Sequence, residues 1–405
     1  MDAPEWQREM LAGEKGQEEN LFLKSFFGAI GSYFRESSVV LWITCLLTSA
    51  YGSALVYSAT RVGSGFGQLL TQVTAIGIGY VAAVILSLID YRFIAKCWPV
   101  IVVICLGMMA ATSLVGETVA GTDDTAWIYI GGVSLQPSEL VKIGFIVTLA
   151  KHLSVLQKRN KLKNFWHLAL VGAHAIIPVV IIHIQGDDGS ALVFAFIFLV
   201  MCLGAGVQFR YFLGAGVAIG CAVPLFWKYV MNADQKKRFQ ILLDHTLDPL
   251  GYGYQQGQGE ISLGVGGLTG SGFLEGSRVE ASMVPEDHND FIFTVAGEEF
   301  GFIGCVAILL LLIIILFAVL RVGLRAGDVL GQNICFGFFG MIAFQMIANV
   351  GMCLYLLPVI GITLPFFSAG GTSAACIYFG VGLIQSVARH PAQKIELGML
   401  QGESY

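Results

Sequence analysis

Ten long apolar blocks dictate most of what this chain can become. They run at roughly 38–60, 68–89, 97–116, 137–156, 165–184, 189–207, 212–231, 291–320, 331–356 and 369–388. A helix rises about 1.5 Å per residue, so a block of some twenty residues crosses the roughly 30 Å hydrocarbon core of a bilayer. Backbone N–H and C=O groups find no water there, and a helix satisfies them internally. The expected fold class is therefore all-α and polytopic, with ten transmembrane helices. Composition argues against a soluble core of this size. Charged residues make up 13% of the 405 and mean hydropathy is +0.73, where soluble domains carry about 25% charged residues. A short gap near 185–188 separates two blocks, and around 357–368 Pro358, Gly361 and Pro365 interrupt any regular helix.

Orientation follows from where Lys and Arg fall. With the N-terminus inside, sixteen of the 23 lie in inner regions, and Lys142 lies within a span. The outer regions hold Arg61, Lys228, Lys236, Lys237, Arg238 and Arg278. The stretch QKRNKLKN at 157–164 is the clearest inner anchor. An even number of spans returns the C-terminus to the cytoplasm. The expected organisation is a cytoplasmic extension at 1–37, a membrane domain at 38–390 with a large outer loop at 232–290, and a cytoplasmic tail at 391–405. The extension lacks a basic stretch followed by an apolar one, so no cleaved signal peptide is expected, and a short amphipathic stretch runs around Leu21–Phe34. All nine cysteines sit in or beside apolar runs without CxxC spacing, and they read as small buried hydrophobes.

The outer connection at 232–290 far exceeds the length at which structureless loops become uncommon, about 15 residues. It contains GYGYQQGQG and GVGGLTGSG, yet keeps aromatic and aliphatic residues, and is expected to form ordered structure along the membrane surface. GVGGLTGSG follows no strand and precedes no clear helix, which makes a nucleotide site a poor reading. The absence of a P-loop pattern argues against an ATP-driven pump.

Charges inside a membrane are costly and mark pairs or sites. Glu139 and Lys142, in LQPSELVK, are three apart and share a helical face, either as a structural ion pair or as the floor of a polar site. Pro137, Ser138 and Glu139 suit a helix start. Glu298 and Glu299 stand two turns into the eighth span, and Gln345 and Asn349 share a face of the ninth. Four polar stretches fall on one side of the membrane: 127–142, 185–190, 232–290 and 357–373. Together they suit an amphiphile with a lipid tail and a polar head. Asp290 stands where the long loop re-enters the membrane. There it either acts as a general base whose pKa burial has raised, or simply caps the eighth span. Asp187, Asp188, Glu286 and Asp287 are its rivals, and His288 with Asp290 makes only a sparse metal pattern.

Read as motifs, these stretches resemble the SEDS family (shape, elongation, division and sporulation) of bacterial membrane glycosyltransferases, which includes RodA, FtsW and SpoVE. Trp127 and Ile128 precede Gln136, Pro137, Ser138 and Glu139, with Lys142 following. Pro285, Glu286, Asp287, His288, Asn289, Asp290, Phe291, Ile292 and Phe293 match a second element, and Glu298, Glu299, Phe300 and Gly301 follow it. Leu357, Pro358, Gly361, Leu364, Pro365, Ser368, Gly370, Gly371 and Ser373 match a third. The resemblance runs from about the first span to Arg389. Departures from the family pattern are Ala126, Gly186, Asp188, Ser271, Asn289, Tyr355 and Ala369.

The resemblance implies polymerisation of lipid II into glycan strands outside the cytoplasmic membrane, in cell-shape or division growth. Asp290 would be the general base. Glu139, Lys142, Asp187, Arg238, Pro285, Glu286, His288, Ser368, Gly370, Gly371 and Ser373 would surround the substrate, with Arg238, Lys142 and Arg278 as candidate cations for the diphosphate. Gln136, Pro137, Ser138, Glu298, Glu299, Gln345 and Asn349 would be structural. A divalent cation, Mg or Mn, is compatible with this chemistry. The implied partners are a single-span class B penicillin-binding transpeptidase and other elongation or division machinery, and nucleic acid is not among them. A lipid-precursor flippase and a non-catalytic scaffold are the alternatives.

Overall fold

The computed structural model describes Gly28 and residues 31–62, 66–116, 125–130, 133–245, 247–251 and 253–392. Each apolar block is a helix. They are α1 (Val39–Thr60), α2 (Phe66–Leu88), α4 (Trp98–Val115), α5 (Pro137–Lys158), α6 (Phe165–Ile184), α7 (Asp188–Gly204), α8 (Phe209–Tyr229), α12 (Ile292–Arg325), α13 (Val329–Cys353) and α14 (Gly371–Arg389). Among the described residues, eight of these are long and apolar enough to cross a membrane. The charged α5 and the 17-residue α7 are not among the eight. A short α3 (Tyr91–Lys96), capped by the Asp90 side chain, turns the chain between α2 and α4.

The core lies where α13 packs on α5, α7 and α12, with α1 against α12 and α14 against α2. α8 stands apart and contributes no buried residue. Most of the amphipathic stretch at Leu21–Phe34, and the N-terminal extension before it, lie outside the described residues.

Three sequence expectations need correction. The fold is not wholly α: β1 (Ile128–Ile130) and β2 (Val133–Leu135) form an antiparallel pair with Tyr129 opposite Ser134, leading directly into α5. Three-residue strands carry too little alternation to be read from sequence. The cysteines are free, but they are not uniformly buried. Cys221 is exposed on α8, and Cys97 and Cys105 are half-buried.

The eighth expected span is likewise not one continuous helix. Gly301 has φ 65° and ψ −158°, outside helical geometry. The interrupted backbone is rescued by the 232–290 segment. Phe302 and Ile303 donate to the Gly267 and Leu268 carbonyls at 2.9 and 3.2 Å, while the Glu298 and Glu299 carbonyls accept from Ser271 and Gly272 at 2.9 and 3.0 Å.

The loop that does this is itself largely helical, comprising α9 (Ala233–Leu243), α10 (Tyr254–Gly266) and α11 (Ser277–Glu280). A reciprocal capping box between Asn232 and Gln235 starts α9. The glycine-rich α10 overrides its poor intrinsic propensity by lying flush on α12. At Gly266 a Cβ would stand 1.8 Å from the Gly297 carbonyl oxygen, so only glycine allows that approach.

Candidate functional site

The turn before α12 carries the site. Glu286 is held at φ 55°, and its carbonyl accepts from Asn289 and Phe291 at 3.1 and 3.2 Å. From α13, the Asn349 amide donates to the Asp290 and Ile362 carbonyls, both at 2.8 Å. From the 357–370 segment, Ser368 Oγ donates to the Asn289 carbonyl at 2.6 Å and accepts from Leu364 N–H at 2.7 Å. Ala369 N–H donates to the His288 carbonyl at 2.8 Å. The backbone of residues 288–290 is thus gripped by two other parts of the chain.

The Asp290 carboxylate is a different case. It has no hydrogen-bond partner among the described residues and is half-buried, and Gly361 is close enough that a Cβ there would stand 3.8 Å from its Oδ2. Asp290 does not cap α12, because Phe291 occupies that position with its ring fully buried. Burial raises its pKa to about 7. Repulsion from Glu286 and Asp187 adds to the rise, and His288 opposes it. His288 is itself shifted upward by its contact with Asp287 (Nδ1 to Oδ1, 3.4 Å) and by neighbouring carboxylates, against the effect of burial. The result is a carboxyl group poised near neutrality, with a fixed backbone and an unshared side chain.

Other expected residues are engaged within the chain. Asp187 caps α7 by accepting from Ser190 N–H at 2.8 Å, and its second oxygen takes the Gln136 amide at 2.9 Å and Ser138 Oγ at 3.2 Å. Both oxygens are therefore engaged within the chain. Lys142 Nζ lies 2.8 Å from Glu139 Oε1, with side chains 1% and 7% exposed, so the pair is an enclosed ion pair inside α5. The Pro285 carbonyl accepts from Gln255 at 2.7 Å.

Of the cations considered for a diphosphate, Arg278 is directed inward, to Ser262 Oγ at 3.0 Å and Gln258 Oε1 at 2.5 Å. Arg238 donates to the Val359 carbonyl at 3.0 Å, two residues from Gly361. That places it beside the Asp290 turn. Gly370 and Gly371 open α14, with Ser373 half-buried on its first turn.

Glu298 and Glu299 do not face this turn. Glu298 Oε1 accepts from Arg278 and Val279 N–H at 2.7 and 3.3 Å, holding the start of α11, and Glu299 accepts from Ser58 Oγ. Gln345 is buried, and its Oε1 has no partner among the described residues.

Sequence reasoning missed Gln72 and Ser58. Gln72 clamps the third motif through both ends of its amide, donating to the Ser368 carbonyl and accepting from Gly370 N–H, each at 3.1 Å. A lone glutamine in an apolar block was the available signal. Thr372 Oγ1 ties α14 to the β-hairpin through the Ser134 carbonyl at 2.8 Å. The divergent Asp188 joins three elements: His183 Nδ1 contacts its Oδ1 at 2.5 Å and Gln235 donates to its Oδ2. Among the described residues, no group of three or more His, Cys, Asp or Glu side chains is placed to hold a metal ion.

Membrane-length helices crowned by a polar turn, with a single unshared carboxylate at its centre, define a multi-pass membrane protein with an enzyme-like site at its polar margin. The FtsW, RodA and SpoVE family model, described as "Cell cycle protein", matches residues 37–393, and the chain belongs to that family. It is thus a multi-pass protein of the bacterial cytoplasmic membrane.

Among its relatives, the peptidoglycan glycosyltransferase MrdB of Escherichia coli K12 is 30% identical over 355 residues, covering 88% of this chain and 94% of that one. Stage V sporulation protein E of Bacillus subtilis is 34% identical over 361 residues, covering 87% and 97%. Among solved structures, a chain of a peptidoglycan synthase complex described as coordinating polymerization and crosslinking superposes with a TM-score of 0.76 at 29% identity, covering 87% of this chain and 98% of its own. The rod shape determining protein RodA of Thermus thermophilus gives a TM-score of 0.64 at 26% identity, covering 87% and 97%.

Proposed function

We propose that this protein is a peptidoglycan glycosyltransferase that polymerises lipid II, with Asp290 as its general base. The observation that carries the assignment is the Asp290 carboxyl, unshared, half-buried and poised near neutrality while its backbone is pinned from α13 and from the 357–370 segment. In the reaction, Asp290 accepts the proton of the acceptor sugar's 4-hydroxyl as that oxygen bonds to the donor's anomeric carbon. The carbon–oxygen bond to the lipid diphosphate breaks, and the anomeric centre inverts, as in other single displacements. Glu286 and His288 act on that carboxyl directly, and Ser368, Gly370, Gly371 and Ser373 are the proposed substrate contacts from the neighbouring 357–373 segment. Arg238 is the proposed cation for the diphosphate, because its guanidinium is held beside the Asp290 turn by the Val359 carbonyl. The activated donor already carries the free energy of transfer, so no nucleotide is needed at the site.

Ten helices cross the membrane, the extension at 1–37 and the tail at 391–405 are cytoplasmic, and the loop at 232–290 faces outward above the domain at 38–390. A single-span class B penicillin-binding transpeptidase is the proposed partner, supported by the likeness to a chain of a complex that joins polymerization to crosslinking. The test is a gel assay for glycan from labelled lipid II, with and without that transpeptidase. Polymer is expected from the parent protein and none from folded, inserted Asp290→Ala. Full-length glycan from the variant would remove Asp290 from the mechanism. Movement of labelled lipid across vesicles without polymer would favour a flippase instead.

A further inference from the structure

Between α4, α5 and α6 lies an apolar cavity of about 500 Å³, none of whose lining residues belongs to the Asp290 turn. That volume is typical of small-molecule and lipid-chain sites, which run about 300–1,000 Å³. α4 and α6 each pack on α5. The space between them is walled by Leu106 from α4, Phe145 from α5 and Ile177 from α6. Trp98, Leu106 and Ile177 are 47%, 44% and 52% exposed, so the cavity opens sideways toward lipid.

One end is polar. Thr148, Lys151, His152 and His174 line it. The two histidines meet across α5 and α6 at 3.3 Å (Nδ1 to Nδ1), and Thr148 Oγ1 lies 3.2 Å from His174 Nε2. Pro178 has no N–H to give the His174 carbonyl one turn earlier in α6, which leaves an acceptor at the same end.

The decisive group is Lys151. It is half-buried in α5, seven residues before the helix ends, or about 10 Å along the axis. No carboxylate or other side chain pairs with it among the described residues, whereas the other lysine within α5's apolar stretch, Lys142, is fully paired to Glu139. Cations at membrane depth normally find a counter-ion. Here the chain supplies none, and an apolar chamber adjoins the ammonium. The basic loop 157–164 follows directly, on the side where an anionic headgroup would sit.

We propose that this cavity binds an anionic glycerophospholipid, one acyl chain between α4 and α6 and the phosphate on Lys151. No covalent step is involved. The site is separate from the Asp290 turn, and its test does not depend on glycan synthesis.

The test uses the full-length purified protein, titrated with phosphatidylglycerol or phosphatidylcholine of matched chains and read by native mass spectrometry. A phosphatidylglycerol carrying an acyl diazirine is crosslinked in parallel and mapped on peptides. One phosphatidylglycerol should bind in preference to phosphatidylcholine and crosslink to 98–109 and 141–155. Lys151→Gln should weaken it about fivefold, the factor expected for one lysine near a phosphate, while Lys151→Arg should retain it. Equal binding of the two lipids, undiminished binding by Lys151→Gln, or crosslinks elsewhere would each overturn the site. Stronger displacement by a polyprenyl phosphate would overturn the choice of occupant.

Discussion

With Asp290 as the proposed base, a single proton links activity to stability. A base with a pKa of about 7 is half-ionised at neutrality. Activity is therefore expected to rise with pH, falling about tenfold per unit below that value, as a pH profile of kcat/KM will show. Stability runs the other way. The folded carboxyl keeps its proton up to about 7, whereas an unfolded aspartate loses it near 3.8. Between those values the folded state binds more protons, so stability declines as pH rises through the window. Asp290→Asn should accordingly melt above the parent at pH 8 and show no such advantage at pH 4; a variant that melts lower at pH 8 would sink the account. Glu139 and Lys142 make the opposite case. With both side chains enclosed, Lys142→Ala strands a carboxylate and should cost about 3–5 kcal/mol in denaturant unfolding. Pairing Lys142→Met with Glu139→Gln should recover most of that loss. Both acidic residues were legible in the sequence because a charge in an apolar setting, or at its edge, draws attention. Gln72 and Ser58 were not, since a neutral polar residue in a helix more often serves packing than a distant loop.

Among the elements, the membrane helices were legible to within a few residues because twenty apolar residues have few other fates. What escaped was everything whose cause lies in a distant partner. The α10 helix forms on glycines that isolated propensity disfavours, and the break at Gly301 exists only because a loop some thirty residues earlier can complete it. The hairpin before α5 is too short to announce itself. Glu298 shows how these elements are fastened, since its carboxylate receives the first amides of α11. Glu298→Ala should speed amide hydrogen exchange at residues 277–283 and cost about 1–3 kcal/mol, the penalty for stranded buried donors. Glu298→Gln keeps an acceptor oxygen and should fall between that variant and the parent. Unchanged exchange in Glu298→Ala would mean that α11 is held by other contacts.

For the whole molecule, the proposed orientation has a direct readout. In a background without the native cysteines, Leu250→Cys should react with an impermeant maleimide from outside intact cells, and Lys161→Cys only after the membrane is opened. Both positions are exposed. The reverse pattern would put the site on the cytoplasmic side and remove lipid-linked glycan synthesis with it.

The turn at 267–272 also bears on how such a protein can change over time. Because it lends partners to four backbone groups on either side of Gly301, the 232–290 segment and α12 share one hydrogen-bond ladder. A replacement segment whose turn did not match would leave those amides and carbonyls bare, each costing several kcal/mol where water is absent. The two stretches are therefore constrained to keep the same turn geometry, and a working chimera must preserve it.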